Sequence, residues 1–476
     1  MSPNGCSGCL RSIHGGEGGS FRVATLSPMP INETHDPKLR SWVESANDPG
    51  TDFPIQNLPL CRFSDGEGDE YSGVRVGDVM FNLRWMAVEG MLGEDPWLAG
   101  ALQFGDDLCA SGSSAVKAIR KYLQRAFIQG QSRPKDSARA RAVYDISEVQ
   151  LVELVTSPNY TDFYASIHHA STVGAMFRPD QPLLPNYKHI PIGYHGRASS
   201  IVPSGTEIRR PRGQQAPPEN DPKAGPSFGP CKMLDYELEV GAFVGPGNTL
   251  GEPIPIDTAE EHIFGLCLVN DWSARDIQKW EYQPLGPFLA KNFGTTISPY
   301  IVTLEALEPF RCPAYRRPPG DPRPLPYLYS EQDQARGGFD ITLEVYLQSE
   351  QMRARGLSPV LLSKSNAFKD MYWTIAQMLT HHASNGCNLQ PGDLLASGTV
   401  SGLGPTERGC LLELTWQGNG PDGKPLPRKP IQLPSGETRT FLADGDEVIF
   451  KGYCERDGFR RIGFGECRGR IAAAKT

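Results

Sequence analysis

Apolar positions recur along this chain in three rhythms, and each predicts a different kind of element. Between Tyr71 and Leu83 they alternate, at Val74, Val76, Val79, Phe81 and Leu83, around Gly77-Asp78, which predicts a hairpin. Lys232 to Val244 alternates charged and apolar side chains over its first half, the period of a strand. A helical rhythm places Val116, Ile119, Tyr122, Leu123 and Ala126 on one side of Ala115 to Ile128 and predicts an amphipathic helix. Met371 to Ser384 predicts another, ended by Asn385-Gly386. The third pattern is an unbroken apolar run, Ile263 to Val269, which reads as a buried strand. Leu411-Leu-Glu-Leu-Thr-Trp and Glu447 to Cys454 read as strands too.

Stretches without any rhythm divide these elements. Residues 1–48 are rich in Gly, Ser and Pro and are expected to form a disordered tail. Gln129 to Ala142 is polar and basic and reads as a loop. Arg209 to Pro230 reads as a Pro-rich surface segment, and Arg316 to Tyr329 as an irregular connection. A small domain, residues 49–155, is therefore expected before a large one, residues 156–476. Fifty-one Gly and 42 Pro in 476 residues favour a turn-rich, strand-rich architecture over a helical bundle.

Composition narrows the partners. A formal charge of −8 argues against nucleic acid, which needs a basic face. No apolar run approaches the ~18 residues of a membrane span. The N-terminus lacks the continuous apolar core of a secretory signal, although Arg11 and Arg22 among several Ser leave an organellar presequence open. Eleven Cys lack framework spacing, and Cys6-Ser-Gly-Cys9 has no second half for zinc, so reduced thiols in a cytosolic protein are expected.

The chemistry gathers after the apolar run. Asp271, Arg275, Asp276, Gln278, Lys279, Tyr282 and Lys291 follow it closely, interleaved with Trp and Phe. Asp271, Arg275 and Gln278 are spaced i, i+4, i+7, so one helical turn shows them on one face, and Gly286-Pro287 ends that turn before Lys291. Apolar walls around convergent polar groups suit a small-molecule site. Glu237 and Glu239, two apart on a strand, point the same way and repel unless a cation lies between them; a solvated sheet face is the alternative. With Asp271 and Asp162 they form an all-oxygen set, which suits magnesium or calcium better than zinc. His381-His382 ends a helix and reads as structural. No nucleophile elbow, P-loop or HExxH pattern occurs.

Several stretches together resemble the fumarylacetoacetase family: Tyr160-Thr-Asp-Phe-Tyr, Gly193-Tyr-His-Gly-Arg-Ala-Ser-Ser, Leu234-Asp-Tyr-Glu-Leu-Glu, Asn270 to Tyr282, Gly286-Pro-Phe-Leu-Ala-Lys, Leu379 to Leu389, Gly392 to Thr399 and Arg461-Ile-Gly-Phe-Gly. They lie in order from about residue 52 to 471. The resemblance implies a mainly β (α+β) chain with a small N-terminal SH3-like barrel and a large C-terminal mixed β-sandwich roll, assembled as a homodimer. It implies hydrolysis of the carbon–carbon bond of 4-fumarylacetoacetate to fumarate and acetoacetate, the last step of tyrosine and phenylalanine catabolism. It implies Mg2+ or Ca2+ held by Asp162, Glu237, Glu239 and Asp271 with Lys291 and Thr295 nearby. His169 and Glu413 fall on the family's water-activating pair, and Arg275, Gln278 and Lys291 on its oxyanion-binding positions. Tyr164, Arg178, Gln278, Tyr282 and Thr399 match substrate contacts. His168 stands where the family is expected to carry Gln. An acylpyruvate hydrolase or oxaloacetate decarboxylase of the same superfamily, and a non-catalytic metal-binding relative, are the alternatives. Cleaving a β-diketone needs a base for water, donors for the developing oxyanion and a Lewis acid for the enolate. The residues above include a candidate for each.

Overall fold

The computed structural model describes residues 31–66, 68–88, 105–130, 142–218, 221–421, 423 and 425–476. The predicted hairpin is present: Glu70–Val76 and Val79–Asn82 pair with Val76 opposite Val79. Gly77 in its turn has φ +58, and a Cβ there would strike Ser45, so glycine is required on two counts. Strands Leu60–Ser64, Gln150–Val152 and Val143–Asp145 complete a five-stranded antiparallel sheet. The helix predicted over 115–128 spans Gly112–Phe127. Its Val116, Ile119, Leu123 and Phe127 join Val74, Val76 and Phe81 of the sheet in one core. The result is a small barrel-like N-terminal unit.

The larger unit is a sandwich of curled mixed sheets. In the first, the strand order is Gly193–Gly196, Tyr160–Phe163, Leu394–Ala396, Leu238–Val244, Ile263–Asp271, Thr295–Ile297 and Ile201–Pro203, with Val302–Thr303 also paired to Ile263–Asp271. The second runs Val360–Ser365, Thr342–Gln348, Glu447–Cys454, Ile462–Ala472 and Glu207–Arg209. Leu238, Leu266 and Leu268 from the first meet Leu343, Val345, Phe450 and Phe464 from the second in the main core. Every residue of Ile263–Asp271 is buried, because one face packs on the second sheet and the other on the N-terminal unit. Burial on both faces is why this strand reads as a run rather than an alternation.

Four expectations change. The tail was expected to reach residue 48, yet Thr34, His35, Ser41, Val43 and Ala46 are buried. His35 Nε2 lies 2.7 Å from the Glu305 carbonyl, and the Gln124 amide donates to the Thr34 carbonyl at 2.7 Å. The single-turn 3-10 helix Glu33–His35 is held by these distant contacts, and a second, Glu44–Asn47, by the Asp78 amide on Ser45 Oγ and by Ala46 in the core; neither carries a hydrophobic period to read. Leu411–Leu414 is a short helix and not a strand. Four apolar-rich positions do not distinguish the two states, and the Asp235 carboxylate caps the turn by accepting from the Leu411 and Leu412 amides at 2.8 and 2.9 Å. The later helix begins at Ile375 rather than Met371, because Thr374 forms a capping box with Gln377. Part of the Pro-rich segment is paired, Arg212–Gln215 with Ser227–Pro230. Most of the loop expected over 129–142 and the Cys6/Cys9 pair lie outside the described residues. No described helix is long and apolar enough to cross a membrane, and the nine described cysteines are free thiols, seven of them buried.

Candidate active site

Neighbouring strands bring the acids together. Tyr160–Phe163 carries Asp162 and pairs in parallel with Leu394–Ala396, which pairs with Leu238–Val244, the carrier of Glu239. Glu239 lies opposite Val269, and the same partner strand ends at Asp271, opposite Thr295. Glu237 immediately precedes the strand. All four carboxylates are buried, with one oxygen of each within 4.8 Å of the others. The solvated-face alternative for Glu237 and Glu239 is thereby removed.

Their hydrogen bonding is lopsided. Glu237 Oε1 accepts from Arg275 Nη1 at 2.7 Å, and Lys291 Nζ donates to Glu237 Oε2. Asp271 accepts from Lys291 at 2.8 Å, Tyr194 at 2.7 Å and Thr295 at 3.0 Å. Neither oxygen of Glu239 has a donor, nor does Asp162 Oδ1. Burial, then repulsion from the neighbouring carboxylates, holds Asp162 and Glu239 well above the usual carboxylate range. Burial also works against the Glu237 carboxylate, but Lys291 and Arg275 outweigh it and hold its pKa low. Burial disfavours the Lys291 ammonium, yet Asp271 and Glu237 raise its pKa. Four carboxylates thus face two cations, one of which, Arg275, is shared with Asp235 at 3.0 Å. Donorless buried oxygens and an all-oxygen ligand set fit a hard divalent cation.

Beside this group stands the second pair. His169 lies in the helix Ile167–Phe177, whose N-cap Ser166 accepts from the His169 amide at 3.3 Å. His169 Nδ1 lies 2.6 Å from Glu413 Oε2. Ser401 Oγ donates to the same oxygen at 2.7 Å. Burial opposes the Glu413 charge, but His169 and these hydrogen bonds hold its pKa below the ordinary value. A carboxylate on Nδ1 selects the tautomer with Nδ1–H, which leaves Nε2 as the proton acceptor. The Tyr164 ring stands edge-on to His169 with centroids 5.5 Å apart.

The remaining expected residues are arranged around these two groups. Arg275 opens the helix Arg275–Glu281, and its Nη1 donates to Gln278 Oε1 at 3.2 Å, so the two do share a face. Tyr282 follows that helix and meets Phe177, the neighbour of Arg178, at 6.5 Å between ring centroids. Arg178 Nε and Thr399 Oγ1 are buried without hydrogen-bond partners, and no hydrogen bond joins either to the other expected residues. Asp235 and Tyr194 were not singled out from the sequence. Asp235 continues the Glu237/Glu239 alternation one step earlier and ties Arg275 to the turn carrying Glu413; that two-residue spacing was the available signal. Tyr194 carried none beyond its position in the Gly-Tyr-His-Gly stretch.

Known proteins resemble this chain along most of its length. The family described as "Fumarylacetoacetate (FAA) hydrolase C-terminal" matches residues 159–472, and "Fumarylacetoacetase N-terminal" matches residues 56–152. The chain is 49% identical to fumarylacetoacetase of Bos taurus and 49% identical to that of Homo sapiens, in each case across 91% of this chain and 99% of the relative. It is 47% identical to fumarylacetoacetase of Arabidopsis thaliana, across 91% and 98%. With both family descriptions matched in order and relatives aligned along nearly their whole length, the chain belongs to the fumarylacetoacetase family.

Proposed function

We propose that the site divides its work between a water-activating pair and an acid-lined pocket, and that together they cleave 4-fumarylacetoacetate to fumarate and acetoacetate. The enzyme is a metal-dependent carbon–carbon bond hydrolase acting in tyrosine catabolism. His169 Nε2 takes a proton from the attacking water, while Glu413 holds Nδ1–H and favours the imidazolium that forms. Arg275, Gln278 and Lys291 present N–H donors to the oxyanion that develops as water adds to the carbonyl. Carbon–carbon cleavage then releases the acetoacetyl half as an enolate, and His169 returns the proton. Asp162, Glu237, Glu239 and Asp271, with Lys291 and Thr295 adjoining, would hold a divalent ion, which would supply Lewis acidity toward the leaving enolate. Mg2+ and Ca2+ both suit the oxygen ligands. Arg178 offers its free Nε–H to a substrate carboxylate, and Tyr164, Tyr282 and Thr399 supply hydroxyls.

The 2.6 Å His169–Glu413 contact carries this reading, since it supplies an oriented base beside a carboxylate group built for a cation. Loss of diketone absorbance on mixing with fumarylacetoacetate, abolished by chelator and restored by Mg2+ or Ca2+, is the expected result. Unchanged turnover in chelator would refute it. A homodimer in the cytosol, with a small unit ending near residue 155, completes the reading. The large exposure of Leu285 and Phe288 supports a subunit contact beyond the single chain.

A further inference from the structure

We propose that His169, Cys410 and Glu413 form a second metal site, specific for a soft or borderline ion of the zinc class, and that occupying it shuts the enzyme off. The inhibitory half of this proposal rests on His169 acting as the base; the binding half does not. One nitrogen, one sulfur and one oxygen, each from a buried residue, lie within 4.8 Å of one another. Cys410 Sγ is 3.3 Å from Glu413 Oε2, and His169 Nδ1 is 2.6 Å from that same oxygen. Tetrahedral zinc with ordinary bond lengths sets N and O about 3.4 Å apart, and S and O about 3.6 Å apart. The sulfur is thus nearly in place, and the ring must part from the carboxylate by roughly 0.8 Å.

The donor sets divide the metals between the two sites. The four-carboxylate group offers only oxygen and suits Mg2+ or Ca2+, which avoid sulfur; N, S and O together suit zinc. A thiolate and a carboxylate neutralise the ion's two charges. Against binding stands Arg408, whose Nη1 is 3.7 Å from the other oxygen, Glu413 Oε1. Ser401 Oγ also donates to Oε2 at 2.7 Å, so these two partners set a limit on affinity.

The protons determine the consequence. An ion on Nδ1 displaces the hydrogen that this nitrogen shares with Glu413, and the neutral ring must then carry its hydrogen on Nε2. That nitrogen can no longer accept a proton from water. The Cys410 thiol gives up its proton to solvent as the sulfur–metal bond forms. No electron is transferred, so removing the ion restores the resting pair.

The test uses the Mg2+-loaded protein with Zn2+ as inhibitor and Co2+ as a spectroscopic stand-in. Wild type should show a thiolate-to-cobalt absorption band and lose turnover as zinc is added at saturating Mg2+. In Cys410→Ser and Cys410→Ala the band should vanish, and the zinc needed for half-inhibition should rise by at least about tenfold, as expected on losing a ligand. Equal zinc sensitivity in wild type and both variants, with no thiolate band, would overturn the site and leave zinc acting at the carboxylates. A Cys410-dependent band without inhibition would support the site and instead remove His169 from the role of base.

Discussion

Glu239 and Asp446 are both fully withdrawn from solvent, and their surroundings treat them in opposite ways. Asp446 Oδ2 accepts from Arg439 Nε and from the Ala443 amide, at 2.7 and 2.8 Å, and Oδ1 accepts from Arg439 Nη2 at 2.8 Å. Arg439 in turn reaches Glu437, which also accepts from Ser435 at 2.6 Å. Glu239 has no donor on either oxygen and three acids for company. A buried charge without partners is costly. One acid is fully satisfied and the other left bare: Asp446 joins parts of the fold, and Glu239 stands in a carboxylate group that fits a divalent cation.

The largest expected effect falls on the pair proposed to activate water. His169→Ala should lower kcat by about 10²–10⁴-fold with KM little changed, as for loss of a general base. Glu413→Gln should cost less, and the double variant little more than His169→Ala; steady-state kinetics of the three would show whether they act as one unit.

Next comes the fully paired acid. Asp446→Ala leaves Arg439 with Glu437 as its remaining carboxylate and should reduce unfolding free energy by about 1.5–3 kcal/mol in denaturant titrations, with turnover per folded molecule unchanged. A loss of metal affinity in this variant would erase the distinction drawn above.

Glu239→Gln should behave in the reverse manner. Ion affinity should fall by roughly ten- to a hundredfold in calorimetric titration, while the chelator-treated protein becomes more stable by about 1 kcal/mol, since one repelling charge is gone. A lower melting temperature of the ion-free variant would mean that Glu239 is held by partners after all.

Asp333 is intermediate and gives the smallest effect. It is buried with neutral donors only, Thr374 Oγ1 at 2.7 Å and Gln334 Nε2 at 3.3 Å. Burial, partly offset by the Thr374 hydrogen bond, raises its pKa to about 6. A carboxyl raised in the fold above its unfolded value of about 3.9 opposes folding while charged, so its unfavourable contribution fades as pH falls through 6. Wild type should therefore gain about 1 kcal/mol relative to Asp333→Asn between pH 7 and pH 5. Parallel denaturation curves at the two pH values check the sign.

Local sequence determined a good deal of this molecule. The Gly77-Asp78 hairpin, the helix Gly112–Phe127 and the strand Ile263–Asp271 were legible because each has a period or run that follows from its own burial. The cluster of four acids was legible as well, since strand spacing fixes the direction of Glu237 and Glu239, and the family motifs pointed to Asp162 and Asp271. What only the tertiary structure decided lies where a distant residue overrules a local pattern. Leu411–Leu414 becomes a helical turn because Asp235, far back in the chain, caps its amides. Residues 31–48 are ordered by polar contacts of Thr34 and His35 to Arg120, Gln124 and the Glu305 carbonyl, and by packing of Leu39, Trp42, Val43 and Ala46 on the N-terminal core. The closeness of Cys410 to His169 was equally invisible, because spacing along a chain fixes neighbours only within one element. Which side chains meet across elements is settled by packing, where burial and hydrogen bonding are satisfied by the fold as a whole.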